Sequence, residues 1–136
     1  MRKKLIHDCE RIARAEIEKH ESPFMHWCFI IQSRKILAWS KNKRTQTPLK
    51  HLGYDINYQF AHAEPLAIKK AWGLINNKKP FSAVNIRIRR EDKLLAESKP
   101  CVVCFPLLLA SGCSEVIWST DDQTYERYLH VNYSSH

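Results

Sequence analysis

His62-Ala63-Glu64 and Pro100-Cys101-Val102-Val103-Cys104 are the two stretches around which this chain is organised. One imidazole and two thiolates can hold a Zn²⁺ ion through three protein ligands, which leaves the fourth position of the ion open for water. An open position is typical of catalytic zinc, whereas a structural site is closed by a fourth ligand. The two stretches therefore predict a zinc enzyme whose metal ligands are His62, Cys101 and Cys104.

Glu64 is the candidate proton-transfer group. It follows the candidate ligand His62 by two residues, so it can approach a water on the metal without binding the metal itself. A zinc ion held by two thiolates and a neutral imidazole carries almost no net charge, so a base beside it is needed to keep the water reactive and to move protons. We therefore assign the catalytic role to Glu64.

Neither motif is specific for a catalytic metal by itself. A lone C-x-x-C pair also occurs in redox dithiols and in halves of structural zinc knuckles. A structural site would need a fourth ligand, for which His51 or Cys113 could serve, but no second close pair completes a knuckle. The two motifs in this order, with Pro100 directly before the first cysteine, favour a catalytic zinc over a structural zinc or a redox pair.

Length and composition predict one soluble domain over residues 1–136. Apolar residues make up 44% of the chain, which is enough for a core. No segment approaches the roughly 18 to 20 apolar residues of a membrane span, and the basic start lacks the apolar region of a signal peptide. The three cysteines not assigned to the metal, Cys9, Cys28 and Cys113, lie within apolar segments, which predicts reduced thiols in the core. Reduced thiols favour a cytoplasmic location, and we expect no membrane partner.

The positive charge of the chain is segregated along the sequence. The net charge is +8, and no acid occurs between Glu21 and Asp55 or between Glu64 and Glu91, although both intervals contain several Lys and Arg residues. Such segregation is typical of proteins with a polyanionic partner or a phosphate-bearing substrate. An ordinary solvated basic surface accounts for it equally well.

The hydrophobic pattern predicts alternating helices and strands. We expect helices over residues 5–20, 63–76 and 102–111, a hairpin over residues 26–32 and 36–40, strands over residues 84–89 and 115–119, a turn into residues 94–97, and a short helix over residues 125–129. The hairpin strands do not alternate, which predicts that both faces are covered. Trp72 belongs to the predicted buried stripe of the second helix, and residues 41–61 to a long basic loop with three aromatic side chains.

This order of elements predicts a three-layer α/β/α sandwich with a mixed central sheet. The two helices that carry the motifs would lie side by side and direct their N-termini at the metal. Helix N-termini lower the pKa of nearby thiols, so this arrangement would support deprotonated cysteine ligands.

From about His26 to Trp118 the chain resembles the cytidine and deoxycytidylate deaminase zinc-binding family of the cytidine deaminase-like superfamily. The resemblance rests on H-A-E, on P-C-x-x-C and on the Leu-Leu-x-x-x-Gly-Cys-x-x-Val-Ile-Trp-Ser run at residues 107–119. It implies a zinc-dependent conversion of cytosine to uracil in a (deoxy)cytidine nucleotide or in single-stranded nucleic acid. The Ala of H-A-E is similar to the deoxycytidylate, tRNA-adenosine and polynucleotide-cytosine branches, whereas free cytidine deaminases usually carry cysteine in place of the histidine.

The resemblance also implies substrate contacts at four positions. Asn42 matches an asparagine that binds the nucleoside, with an ordinary turn residue as the alternative. Ala63 would offer its backbone N–H to the base carbonyl, and Lys99 its backbone C=O to the amine. His26 matches a loop that flanks the pocket, although a structural role suits it at least as well.

The resemblance leaves two further functions open. The chain lacks the second metal site and the glycine-rich loop of typical deoxycytidylate deaminases, and the part after Trp118 is short for the nucleic-acid branches. A short end allows a second copy to complete the pocket, so a homo-oligomer is a possible partner. The basic, aromatic loop would suit a single strand. The alternatives are an adenosine deaminase acting on RNA and a non-catalytic, zinc-stabilised nucleic-acid-binding module.

Overall fold

The computed structural model describes residues 2–43 and 62–130. The helices in these ranges are α1 (Arg2–Ala15), α2 (Ala63–Ala71) and α3 (Cys104–Ala110), and a 3-10 turn (Ile17–Lys19) follows α1. The strands are β1 (Met25–Gln32), β2 (Lys35–Lys41), β3 (Phe81–Ile88), β4 (Leu95–Ala96), β5 (Cys113–Ser119) and β6 (Tyr125–Leu129). Most of the predicted basic loop, with His51 and its three aromatic residues, lies outside the described residues.

The strands form one mixed sheet. Its order is β2-β1-β3-β5-β6, and β4 pairs with the end of β3. The β3–β5 pair is parallel, whereas the other described pairs are antiparallel. The parallel pair is made possible by the segment that crosses over from β3 through α3 to β5, since parallel strands need a long connection.

Helices cover both faces of the sheet. On one face, Cys9 and Ala13 of α1 pack in an apolar cluster with Trp27, Phe29 and Ile86. On the opposite face, the cluster contains Ala67 of α2, Leu108 of α3, Cys28, Ile30 and Ala83. Because both faces are covered, nearly every residue of β1 is buried, as its lack of alternation predicts. The predicted three-layer sandwich with a mixed sheet is confirmed.

The predicted helix over residues 125–129 is wrong. These residues form β6, which runs antiparallel to β5 from the pair Ser119↔Tyr125 to the pair Glu115↔Leu129. The free edge of β5 offers backbone hydrogen bonds to any strand that folds back on it, and a sequence rich in tyrosine suits a strand. The partner strand lies outside the five-residue window 125–129, so the local pattern does not show the pairing.

The second helix is shorter than predicted. It ends at Ala71 instead of residue 76, and Trp72 is 63% exposed, so its assignment to the buried stripe is wrong. Gly73 follows directly and weakens a continued helix, and the chain turns through hydrogen bonds from the N–H groups of Leu74 and Ile75 to the Ala71 carbonyl. The stripe predicted from the helical spacing also included Ile68, Ala71 and Ile75. Ile68 and Ala71 are buried, and Ile75 is partly buried.

The remaining cysteines are buried and unpaired, as predicted for core thiols. Burial raises the pKa of the Cys9 and Cys113 thiols to about 12, so both are neutral. Among residues 2–43 and 62–130, no helix is long and apolar enough to cross a membrane.

Candidate metal centre and active-site cavity

The two motifs lie where α2 and α3 begin. His62 has an extended backbone and directly precedes α2, whose first turn accommodates Pro65 because the missing N–H has no helical partner there. The N–H of Phe105 donates to the Cys101 carbonyl at 2.9 Å, so the helical path of α3 starts at the first cysteine. Cys101 and Cys104 are therefore neighbours on one side of a helical turn.

The three predicted ligands lie together. The distance between Cys104 Sγ and His62 Nδ1 is 3.3 Å, and that between Cys101 Sγ and the same nitrogen is 3.7 Å. All three ligand atoms lie within 4.8 Å of one another. Donors at about 2.0–2.3 Å from a tetrahedral ion are separated by roughly 3.3–3.8 Å. The geometry therefore fits a tetrahedral metal ion.

The electrostatics of the cluster also favour a cation. Burial raises the pKa of the Cys104 thiol far above its usual value, and the charges of Glu64 and Cys101 raise it further. For Cys104, the pKa lowering predicted from the helix N-termini is therefore not produced by the protein groups alone. A positive ion between these donors would offset the burial and allow both sulfurs to be thiolates.

Glu64 is held beside this cluster with one oxygen bound and one available. Its side chain is 1% exposed. The Asn85 side-chain amide donates a hydrogen bond to Glu64 Oε2 at 3.0 Å. Glu64 Oε1 is buried and has no hydrogen-bond partner within the described part of the chain. A buried carboxylate oxygen without a partner is costly unless a ligand satisfies it, so this atom indicates a functional position.

A cavity of about 350 Å³ opens next to these groups. Its lining includes His26, Asn42, His62, Glu64, Lys99 and Cys101. Five of these six residues are predicted ligands or substrate contacts that lie far apart in the sequence, and the sixth is the predicted catalytic residue. A second cavity of about 290 Å³, on the α1 side of the sheet, is lined by none of them.

The architecture has known counterparts. No family model and no curated protein matches this sequence. Solved structures do match. The crystal structure of cytidine deaminase from Burkholderia pseudomallei has a TM-score of 0.60 at 16% identity, over 90% of this chain and 91% of that one. The apo structure of dCMP deaminase from the cyanophage S-TIM5 has a TM-score of 0.56 at 14% identity, over 90% and 89%. The chain has the cytidine deaminase-like fold.

The predicted substrate contacts differ in how many hydrogen bonds they already make within the protein. Asn42 lines the cavity, but its carboxamide accepts from the His26 N–H at 3.0 Å and donates to the Ser22 hydroxyl at 3.1 Å and to the Phe24 carbonyl at 2.8 Å. The side chain thus ties the end of β2 to the segment before β1. A substrate contact at Asn42 stays a prediction.

The other three predicted contacts lie at or beside the ligands. Ala63 is the buried first residue of α2. Lys99 is exposed on the cavity wall, with its ammonium 5.5 Å from the Trp118 ring centre. His26 is half-buried, and its Nε2 has no hydrogen-bond partner in the described ranges. Burial lowers the pKa of His26, so the imidazole is neutral at neutral pH and can donate or accept one hydrogen bond.

Asn85 is the residue that sequence reasoning missed. It is fully buried in β3, and its amide donates both to Glu64 and to the Ser98 carbonyl at 3.1 Å. Ser98 in turn donates to the Asn85 carbonyl at 2.9 Å. This network connects the strand beneath Glu64 to the segment that leads to the cysteines. The sequence offers one sign of the role of Asn85: it is a polar residue in the middle of a predicted strand. That sign becomes informative only once helices are known to cover both faces of the strand.

Proposed function

We propose that this protein is a zinc-dependent hydrolytic deaminase that converts cytosine to uracil in a cytidine or deoxycytidine nucleotide, free or within a single strand. One observation carries the proposal: three metal donors and the available Oε1 of Glu64 share one cavity. Metal donors beside an unsatisfied buried carboxylate provide the two groups that hydrolysis of an amidine requires, namely an activated water and a proton carrier.

His62, Cys101 and Cys104 would hold the zinc ion. One nitrogen and two sulfurs with room for a fourth ligand form a donor set that catalytic zinc sites use. When bound, zinc supplies Lewis acidity, which makes water a nucleophile near neutral pH. The chain itself fixes the positions of the donors, because each of them lies at the start of a helix that packs on the sheet.

Glu64 moves the protons in this proposal. Water adds to the ring carbon that carries the exocyclic amine, the C–N bond breaks, and the amine leaves as ammonia while a carbonyl remains. Glu64 takes one proton from the water and delivers it to the ring nitrogen, and then takes the second proton from the added hydroxyl and delivers it to the leaving amine, so the carboxylate is regenerated. Asn85 orients this group, since its bond to Oε2 leaves Oε1 to act.

The substrate class is supported by likeness and is compatible with the charge of the chain. Two of the structural neighbours are a cytidine deaminase and a dCMP deaminase, which favours cytosine as the base. The net charge of +8 is compatible with a substrate that carries phosphate, either as a mononucleotide or as a strand.

The proposal is tested by mass spectrometry on a substrate panel. The panel contains cytidine, deoxycytidine, their mono- and triphosphates, the adenosine counterparts, and single-stranded DNA and RNA, with zinc content measured in every sample. We expect the unmodified protein to replace an amine by a carbonyl on cytosine substrates. Glu64→Gln, with the same zinc content, should lose about 10²- to 10⁴-fold in rate.

Each alternative result has a definite meaning. Conversion of adenine substrates alone would move the base assignment to adenine. No conversion of any substrate by zinc-loaded protein, together with binding of oligonucleotides that Glu64→Gln leaves unchanged, would replace the enzyme by a zinc-stabilised binding module.

A further inference from the structure

Three arginines lie at and just beyond the end of β3, and Arg87 differs from the other two. Arg89 forms an ion pair with Asp92 at 3.1 Å. Arg90 donates hydrogen bonds to the His20 carbonyl at 2.7 Å and to the Ser22 carbonyl. The guanidinium of Arg87 has no hydrogen bond or ion pair within residues 2–43 and 62–130, although the side chain is half-buried. Two of these cations therefore serve the fold, while the third keeps its donors available.

Arg87 lines the active-site cavity and is supported there by an aromatic ring. The centre of its guanidinium lies 5.3 Å from the Phe24 ring centre, a cation–π contact, and Phe24 lines the same cavity while being 58% exposed. A ring contact restrains the guanidinium without using its N–H donors. The side chain is thus held in place and can still bind a ligand with two parallel hydrogen bonds.

The position of Arg87 relative to the chemistry is set by the strand. Asn85 and Arg87 are two residues apart and share one face of β3, so they are separated by roughly 6.6 Å along the strand. Asn85 binds Glu64, which marks the reacting centre. Opposite Arg87 in the β1–β3 ladder is His26, whose unpartnered Nε2 also belongs to the cavity. Arg87 is therefore the next residue on this face of β3 after the one that binds Glu64, and it lines the same cavity as Glu64.

One acid also lines the cavity besides Glu64. Glu97 is exposed, and it does not pair with Arg87. Burial and the charges of Glu126 and Asp121 raise its pKa, whereas Lys99 lowers it, so Glu97 belongs to a charged group on the β5–β6 side of the cavity. No acidic side chain among the described residues forms an ion pair with Arg87, so its positive charge is not neutralised within this part of the chain.

We propose that Arg87 is an anion subsite that binds a phosphate group of the substrate. The proposal rests on the proposed deaminase function and deepens it, because it separates nucleotides from nucleosides at the same cavity. Arginine suits this task because its planar fork matches the geometry of phosphate oxygens. The phosphate is either the 5′-phosphate of a mononucleotide or a phosphodiester of a single strand.

The test compares substrates with and without phosphate in three variants. Arg87→Gln removes the charge, Arg87→Lys keeps it without the fork, and Arg89→Gln removes a charge of the same strand end outside the cavity. We expect Arg87→Gln to lower kcat/KM about 10- to 100-fold for phosphate-bearing substrates, as expected for the loss of a hydrogen bond to a charged group, and to leave the nucleosides unchanged. Arg87→Lys should fall in between, and Arg89→Gln should match the unmodified protein.

Comparing 5′-monophosphates with oligonucleotides identifies which phosphate the subsite binds. A selective loss on the 5′-monophosphates assigns the subsite to a free nucleotide, and a selective loss on oligonucleotides alone assigns it to a strand. An equal loss on nucleosides and phosphorylated substrates, no loss at all, or the same loss in Arg89→Gln would overturn the proposal.

Failure of the proposed function would be distinguishable from failure of this subsite. If the unmodified, zinc-loaded protein deaminates none of the substrates, the function is wrong and calorimetry decides on Arg87 alone. Tighter binding of the 5′-monophosphates of cytidine and adenosine than of the nucleosides, abolished by Arg87→Gln, would support the anion subsite. Equal affinities for both would exclude it.

Discussion

The two faces of β3 perform different tasks within a single strand. Val84, Ile86 and Ile88 face α1 in an apolar cluster, and each is at most 1% exposed. The opposite face includes Ala83, which belongs to the other apolar cluster, and continues with Asn85 and Arg87, which lie beneath and beside the motif-bearing helices. Apolar burial stabilises the fold, whereas a buried amide and a half-buried cation are costly unless partners or ligands satisfy them. The polar part of the second face thus lowers stability, and its buried amide holds Glu64 in place.

The largest effect should come from removing a metal donor. Cys104→Ala leaves two donors, so we expect zinc content to fall to near zero and turnover to be lost. The matched control is Cys9→Ala, which removes a buried thiol on the α1 face. It should retain zinc and turnover. Zinc analysis and the deamination assay check both variants, and a Cys104→Ala protein with normal zinc content would show that the donor cluster is not the metal site.

The apolar face is tested by Ile86→Ala. Removing a fully buried isoleucine side chain should lower the free energy of unfolding by about 2–5 kcal/mol, measured by urea denaturation, and the milder Ile86→Val by about 0.5–1.5 kcal/mol. Turnover per folded chain should stay the same, since the side chain contacts the α1 side. A loss of turnover in proportion to stability would mean that the two faces do not act separately.

The polar face is tested by Asn85→Leu. Losing the hydrogen bond to Glu64 should lower kcat about 10- to 100-fold, because a bond to a charged group is worth about 1.5–3 kcal/mol. Zinc content and KM should change little, since Asn85 contributes to neither the donor cluster nor the cavity lining. A general structural defect would instead alter KM and zinc binding as well. An unchanged kcat would remove Asn85 from the proposed mechanism.

The sequence predicted the parts of the site that are set by short spacings. His62 and Glu64 are joined by one residue, and Cys101 and Cys104 by one helical turn, so local geometry brings each pair together once a helix begins there. Motif order then predicted that the pairs meet. The sandwich followed from the order of helices and strands.

The features that could not be predicted from the sequence depend on how separate elements pack and on where each element ends. The alternation Val84-Asn85-Ile86-Arg87-Ile88 predicts a strand, but it does not distinguish a face covered by helices from a face in water. The role of Asn85 appears only when α2 lies over β3. Trp72 fits the helical period, yet the helix ends before it. The strand at residues 125–129 depends on the edge of β5.

The smallest expected effect concerns the corner where β6 meets α1. The Tyr125 hydroxyl donates to Glu10 Oε1 at 2.7 Å. Burial alone would raise the pKa of Glu10, but the hydrogen bonds from Tyr125 and Arg14 outweigh it and lower the pKa. A carboxylate whose pKa is lowered by folding stabilises the fold above its unfolded pKa, and this contribution is lost as the pH falls through the folded value. Tyr125→Phe should therefore be destabilising at neutral pH and nearly neutral in acid.

Urea denaturation at pH 7 and at pH 3 measures this difference. At pH 7 we expect a loss of about 0.5–1.5 kcal/mol, toward the lower end because Glu10 is partly exposed. The control is Tyr128→Phe, since Tyr128 lies on the same strand, is 42% exposed and has no hydrogen bond from its hydroxyl within the described residues. An equal loss at both pH values would show that the Tyr125 hydroxyl does not stabilise the fold through the ionised Glu10 carboxylate. An equal loss in the control would show that the effect is not specific to this hydrogen bond.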